Sequence, residues 1–126
     1  MVTKSYIPER GDIVWLNFTP QTGHEQKGKR PAIVLSPEAY NSKVGLAAFC
    51  PITSKQKGYP FEVEVVSKKI NGVVLSDQVK SLDWRSRDIK FIEKAKIEVI
   101  QDVLSKLNTL RGSIAETVRV DCPSDI

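Results

Sequence analysis

The apolar positions fall into short alternating runs set apart by polar stretches, and only one late segment has a helical period. "RGDIVWLNF", opened by Gly11 and Asp12, reads as a strand with Ile13, Trp15 and Asn17 on one face and Val14, Leu16 and Phe18 on the other. "PAIVLS" predicts a short buried strand, its proline confined to the first position or an edge. "PEAYNSKVG" is a connection with room for one helical turn, and "GLAAFCPI" is a third strand. In "FEVEVV", Phe61, Val63 and Val65 point inward and Glu62 and Glu64 outward. "SKKING" carries Asn71-Gly72, a tight-turn signal. "VVLSDQVKSL" then reads as continuous extended chain and "DIKFIEKA" as another strand. Only "KIEVIQDVLSKLNTLRG" predicts a helix: Ile97, Ile100, Val103, Leu104 and Leu107 follow the 3.6-residue period, and Gly112 is the expected stop.

Many short strands in meander order with one late helix predict a mainly β fold, a small curled antiparallel sheet or barrel. A chain of 126 residues suits a single domain with one modest core. No apolar run approaches a membrane span, and "MVTKSYIPERGD" lacks the apolar stretch of a signal peptide, so the expected location is the cytoplasm, with no membrane partner. Cys50 sits in an apolar run and Cys122 in a polar tail. They form no CxxC pair, and a single histidine does not complete a usual zinc set, so no metal or other cofactor is expected.

Charge changes the picture. The net charge is +4, and residues 1–60 hold eight Lys or Arg against four Asp or Glu, while the remainder is balanced. A basic first half suits a polyanion such as nucleic acid. Much of that charge lies in two polar loops. "TPQTGHEQKGKR" offers His24, Glu25, Lys27, Lys29 and Arg30; "TSKQKGYP" offers Thr53, Ser54, Lys55 and Lys57. Loops as long as the first are often functional in compact domains. In a curled sheet the two can share one end, gathering a carboxylate, a guanidinium, hydroxyls and several cations. Such a set suits metal-free cleavage of a phosphodiester: a base for the attacking hydroxyl, and donors for the charge that builds on the phosphorane. RNA brings its own nucleophile, the 2′-hydroxyl.

"RGDIVWLNFTPQTGHEQKGKRPAIVLS", "PITSKQKGYPFEVEV" and "GVVLSDQVKSLDWRSR" together resemble the MazF/PemK toxins of bacterial type II toxin–antitoxin systems, over roughly Tyr6 to Leu107. The resemblance implies an SH3-like barrel of the PemK/MazF/CcdB type with a C-terminal helix, working as a homodimer. It implies an mRNA interferase, an endoribonuclease cutting single-stranded RNA at a short specific sequence without metal and leaving a 2′,3′-cyclic phosphate and a 5′-hydroxyl. A cognate antitoxin would neutralise it.

Matched onto the family's elements, Glu25 is the candidate general base, or else orients the guanidinium. Arg30 would stabilise the phosphorane and is the candidate proton donor. Thr53 would hydrogen-bond a non-bridging phosphate oxygen, helped by Ser54. His24 is the alternative base. Lys27, Lys29, Lys55 and Lys57 would steer phosphates, Gln78 and Lys80 would contact RNA or form the groove wall, and Trp15, Phe18 and Asn41 would lie at the rim. The toxin unit is expected over residues 1–110, with 111–126 as a C-terminal extension. Two other functions fit a basic barrel: a CcdB-like gyrase poison without enzymatic activity, and a non-catalytic nucleic-acid-binding domain.

Overall fold

The computed structural model describes residues 6–18 and 29–118. Strands β1 (Asp12–Asn17), β2 (Lys29–Val34), β3 (Leu46–Thr53), β4 (Glu62–Val66), β5 (Asn71–Leu75), β6 (Lys80–Asp83) and β7 (Lys90–Lys94) are joined by helix α1 (Glu38–Val44) and closed by helix α2 (Ile97–Val118). All pairings are antiparallel, in the spatial order β4-β5-β3-β2-β1-β7. β6 lies against the first half of β3 and β5 against its end, so the two divide one edge of that strand.

The sheet curls until its ends meet. Ser67, after β4, donates to Glu93 of β7 at 2.5 Å, and Lys69 Nζ donates to the Ile92 carbonyl at 3.3 Å. Inside the curl, residues from five strands meet in one cluster, among them Ile13, Ile33, Cys50, Ile52, Val63 and Val74. The α2 residues Val99, Ile100, Val103, Leu104 and Leu107 close it. Burial raises the Cys50 thiol to about 12, so it serves as a small hydrophobe. A second cluster, with Val14, Leu16, Ala32, Val34 and Phe49, lies on the outer face under Trp84 and the N-terminal residues Tyr6 and Ile7. β1 feeds both clusters, as its alternation predicts. The N-terminal segment is tied down at buried Asp12, which accepts from the Tyr6 hydroxyl and the Glu9 amide and pairs with Lys94 Nζ at 2.7 Å.

Four local expectations are corrected. The connection after β2 is a seven-residue helix, longer than one turn. Asn71-Gly72 opens β5, and the turn lies earlier: Ser67 Oγ accepts the amides of Lys69 and Ile70, while the Ser67 amide donates to the Ile70 carbonyl. A serine oxygen that satisfies two turn amides outcompetes the local Asn-Gly preference. "VVLSDQVKSL" is interrupted by a turn at Ser76-Asp77: Ser76 still extends the β4 pairing by donating its amide to the Phe61 carbonyl, and the Gln78 amide then closes the turn on the Leu75 carbonyl at 3.0 Å. Finally, α2 passes through Gly112 to Val118. A helical glycine costs only about 1 kcal/mol relative to alanine, too little to end a long helix unaided.

Candidate active site

The β2–β3 register builds the site. Ala32 pairs with Pro51, Ile33 with Cys50 and Val34 with Phe49. Continued two residues beyond its last pair, that register leads to Arg30 and Thr53, and both line one cavity. Alternation puts both side chains on the face of Ala32 and Phe49, beyond the end of the outer core. The hydrophobic pattern that buries Phe49 therefore also aims Thr53.

A cavity of about 200 Å³ opens there, lined by Arg30, Thr53, Lys55, Lys57 and Gln78 together with Tyr59, Glu62 and Leu75. The first five come from both polar loops and the "DQ" turn, joined only by the fold. The last three were missed in the sequence. An aromatic ring inside a basic polar loop was a usable signal for Tyr59, while strand alternation marked Glu62 only as outward-facing.

Thr53 Oγ1 accepts the Lys55 amide at 3.2 Å, an arrangement that leaves the hydroxyl proton available to a ligand oxygen. The Glu62 carboxylate binds the same loop from the other side, Oε2 accepting the Lys57 amide and Oε1 the Gly58 amide, each at 3.0 Å. Gly58 has φ of 85°, a conformation open to glycine at little cost, which lets adjacent amides converge on one carboxylate. Beneath Thr53, Gly72 lies so close that a Cβ would overlap the Thr53 carbonyl.

Several expected contacts lie elsewhere. Asn41 is fully buried and is not a rim residue. Its Nδ2 donates to the carbonyls of Pro8 (2.8 Å) and Ser36 (3.0 Å), its Oδ1 accepts from Ser36 Oγ, and its carbonyl accepts from the Trp84 indole. It joins the N-terminal segment to α1. Lys29 is not a free steering charge: its Nζ lies 2.7 Å from Asp88 Oδ2, and that hydrogen bond and charge hold the Asp88 carboxyl below its ordinary value. Ser54 lines a separate cavity with Gln56, Glu64 and Val73, away from Thr53's partners. Trp15 is exposed, but it pairs with Pro31, and alternation turns it to the face opposite Arg30. Phe18 packs against the outer core. Lys80 is exposed on β6 opposite Phe49 and is not part of the cavity lining. His24, Glu25 and Lys27 lie outside the described residues.

The two residues after the Trp84–Ser86 3₁₀ turn reach both flanks of the first polar loop. Arg87 Nη1 donates to the carbonyls of Asn17 and Phe18 at 3.0 and 2.9 Å, and Asp88 holds Lys29. Asp88 takes φ of 54°, uncommon outside glycine.

The family model described as "PemK-like, MazF-like toxin of type II toxin-antitoxin system" matches residues 9–110. The chain belongs to this family. Among the family's members, the endoribonuclease toxin MazF of Escherichia coli K12 is 45% identical over 107 residues, covering 85% of this chain and 96% of the relative. The endoribonuclease toxin ChpB of the same strain is 39% identical over 116 residues, covering 87% and 98%. The crystal structure of MazF (Form-I) from Deinococcus radiodurans is 53% identical with a TM-score of 0.78, covering 86% of this chain and 99% of that one. A MazE-MazF complex from the same organism superposes with a TM-score of 0.76 at 47% identity, covering 86% and 98%. The PemK/MazF fold is thus the mainly β curled sheet with a C-terminal helix described above. Among the described residues, no helix is long and apolar enough to cross a membrane.

Proposed function

We propose that this PemK/MazF-family chain is a toxin endoribonuclease that cuts single-stranded RNA at a short specific sequence, without metal. The observation that carries the reading is one cavity lined by Arg30 and Thr53 together with Lys55 and Lys57. The relatives named endoribonucleases supply the activity class. The residues supply the chemistry.

In this reaction the RNA 2′-hydroxyl attacks the adjacent phosphorus and gives its proton to Glu25. The P–O5′ bond breaks, leaving a 2′,3′-cyclic phosphate on one fragment. The departing O5′ takes a proton, with Arg30 the candidate donor, and becomes the 5′-hydroxyl of the other. As charge grows on the non-bridging oxygens, Arg30 and the Thr53 hydroxyl donate to them. Donors already oriented cost little reorganisation in the transition state. Lys55 and Lys57 draw the strand in through its phosphates without reading sequence.

The reading includes a homodimer, a cytoplasmic location and a cognate antitoxin that occludes the cavity, as the MazE-MazF complexes of relatives suggest. Residues 1–110 form the toxin unit, and 111–126 extend it beyond the span matched by the family model.

The test is incubation of the purified protein with a long RNA in excess EDTA. Discrete fragments are expected, with cyclic phosphate and 5′-hydroxyl ends. Intact RNA, or cleavage that requires added metal, would overturn the reading.

A further inference from the structure

The cavity lining is of two chemical kinds. Arg30, Thr53, Lys55 and Lys57 suit an anion, while Tyr59, Leu75 and Gln78 add an aromatic ring, an apolar side chain and an amide; the Glu62 carboxylate, also in the lining, is engaged by the Lys57 and Gly58 amides. Its volume of about 200 Å³ falls below the range of about 300–1,000 Å³ for pockets that enclose a whole small molecule. It is sized to grip one part of a longer strand.

Tyr59 is 51% exposed, so part of its ring remains open to a ligand. Its loop is nevertheless held at both ends. The Glu62 carboxylate fastens the amides of Lys57 and Gly58, just before Tyr59, and the Glu62 amide donates to the Tyr59 carbonyl at 3.2 Å. A ring that is open to solvent on a fastened backbone is what a stacking surface requires. A single-stranded base has a π-face to offer whatever its identity, and cations alongside suit the phosphates on either side.

We propose that Tyr59 is the platform on which a nucleobase next to the scissile phosphate stacks, and that Glu62 is the positioning residue holding it there. The inference rests on the ribonuclease reading and extends it from the phosphate to a base. Both Glu62 oxygens are engaged by backbone amides, which assigns it to loop geometry rather than proton transfer.

The probe is a short RNA containing a cleavage site mapped on the long RNA, made resistant by a 2′-deoxy sugar at the attacking position. With Tyr59→Leu, its dissociation constant should rise about 5- to 150-fold, the range for loss of one aromatic–base stack. Tyr59→Phe, which keeps the ring, should bind within about twofold of the native protein. 2-Aminopurine beside the cut should be quenched on binding the native protein and Tyr59→Phe, but not Tyr59→Leu. Glu62→Ala should weaken binding in the same way, and Glu62→Gln should recover part of the loss through its one remaining acceptor oxygen. The pH profile of single-turnover cleavage should be unchanged in both.

Native-like binding and quenching by Tyr59→Leu would overturn the stacking role. A lost or shifted acid limb in Glu62→Gln would make Glu62 a base and overturn its positioning role. Those results leave cleavage by the native protein intact, whereas a native protein that neither cuts the long RNA nor binds the probe overturns both this inference and the ribonuclease reading.

Discussion

Gly72 lies against the main-chain carbonyl of Thr53, at a separation that leaves no room for a side chain. β5 can therefore pair with Thr53 through Val73 and fix the backbone that carries its side chain into the cavity shared with Arg30. Gly72→Ala should force the two strands apart and move Thr53. Overpacking of this kind typically costs about 1–3 kcal/mol. Denaturant unfolding should show a loss in that range, and cleavage by the folded fraction should fall. A variant of native stability and activity would show that the contact is readily relaxed.

Arg30 is exposed and outside both core clusters, so its removal should affect chemistry and spare the fold. Arg30→Ala should cut single-turnover cleavage about 100- to 1000-fold, the usual cost of one preorganised donor to a transition-state anion, with little change in thermal midpoint. Thr53→Val should reduce the rate in the same direction. Ser54 offers no substitute hydroxyl, because it lines a different cavity. Arg30→Ala activity within about tenfold of native would remove Arg30 from the mechanism.

The lysines should separate by their partners. Lys55 and Lys57 line the cavity, whereas Lys29 is matched by Asp88. Lys55→Ala with Lys57→Ala should weaken RNA binding and flatten its dependence on salt, since fewer counterions are released. Lys29→Ala should do so less. In that variant the Asp88 carboxyl should rise toward its ordinary value, readable by NMR titration. The sign follows from the lowered carboxyl: the pair's contribution to folding is present above the unfolded carboxylate pKa and fades as pH falls through the lowered folded value. An equal salt effect from Lys29→Ala would show that RNA displaces Asp88.

Asn41→Ala should be a stability variant. It orphans the buried carbonyl of Pro8 and the half-buried carbonyl of Ser36, at about 1–3 kcal/mol for each unsatisfied group. Unfolding should shift by about 2–6 kcal/mol on that basis, while cleavage per folded molecule stays native. Lost RNA affinity at full stability would instead return Asn41 to the rim.

What the chain determined by itself was periodicity and chemical inventory. The alternation of Val63 and Val65, and of Val14 and Leu16 against Ile13, assigned faces to strands, because a side chain's face depends only on its own parity and the solvent it avoids. The helical spacing through Val103 and Leu107 located α2 for the same reason. Arg30, Thr53 and Gln78 could be marked as chemistry-capable from residue type and family resemblance. Their common cavity depended on a β2–β3 register and a turn between β5 and β6 that no local pattern encodes. Partner choice was likewise tertiary. Asn41 and Lys29 are polar residues of ordinary surface type, and only the approach of Pro8 and Ser36 to one, and of Asp88 to the other, decided that they serve the fold. Asn71-Gly72 shows the same limit in reverse: a strong local turn signal gave way to the earlier turn closed by Ser67, and Gly72 instead meets the Thr53 carbonyl, a contact that exists only once β3 and β5 pair.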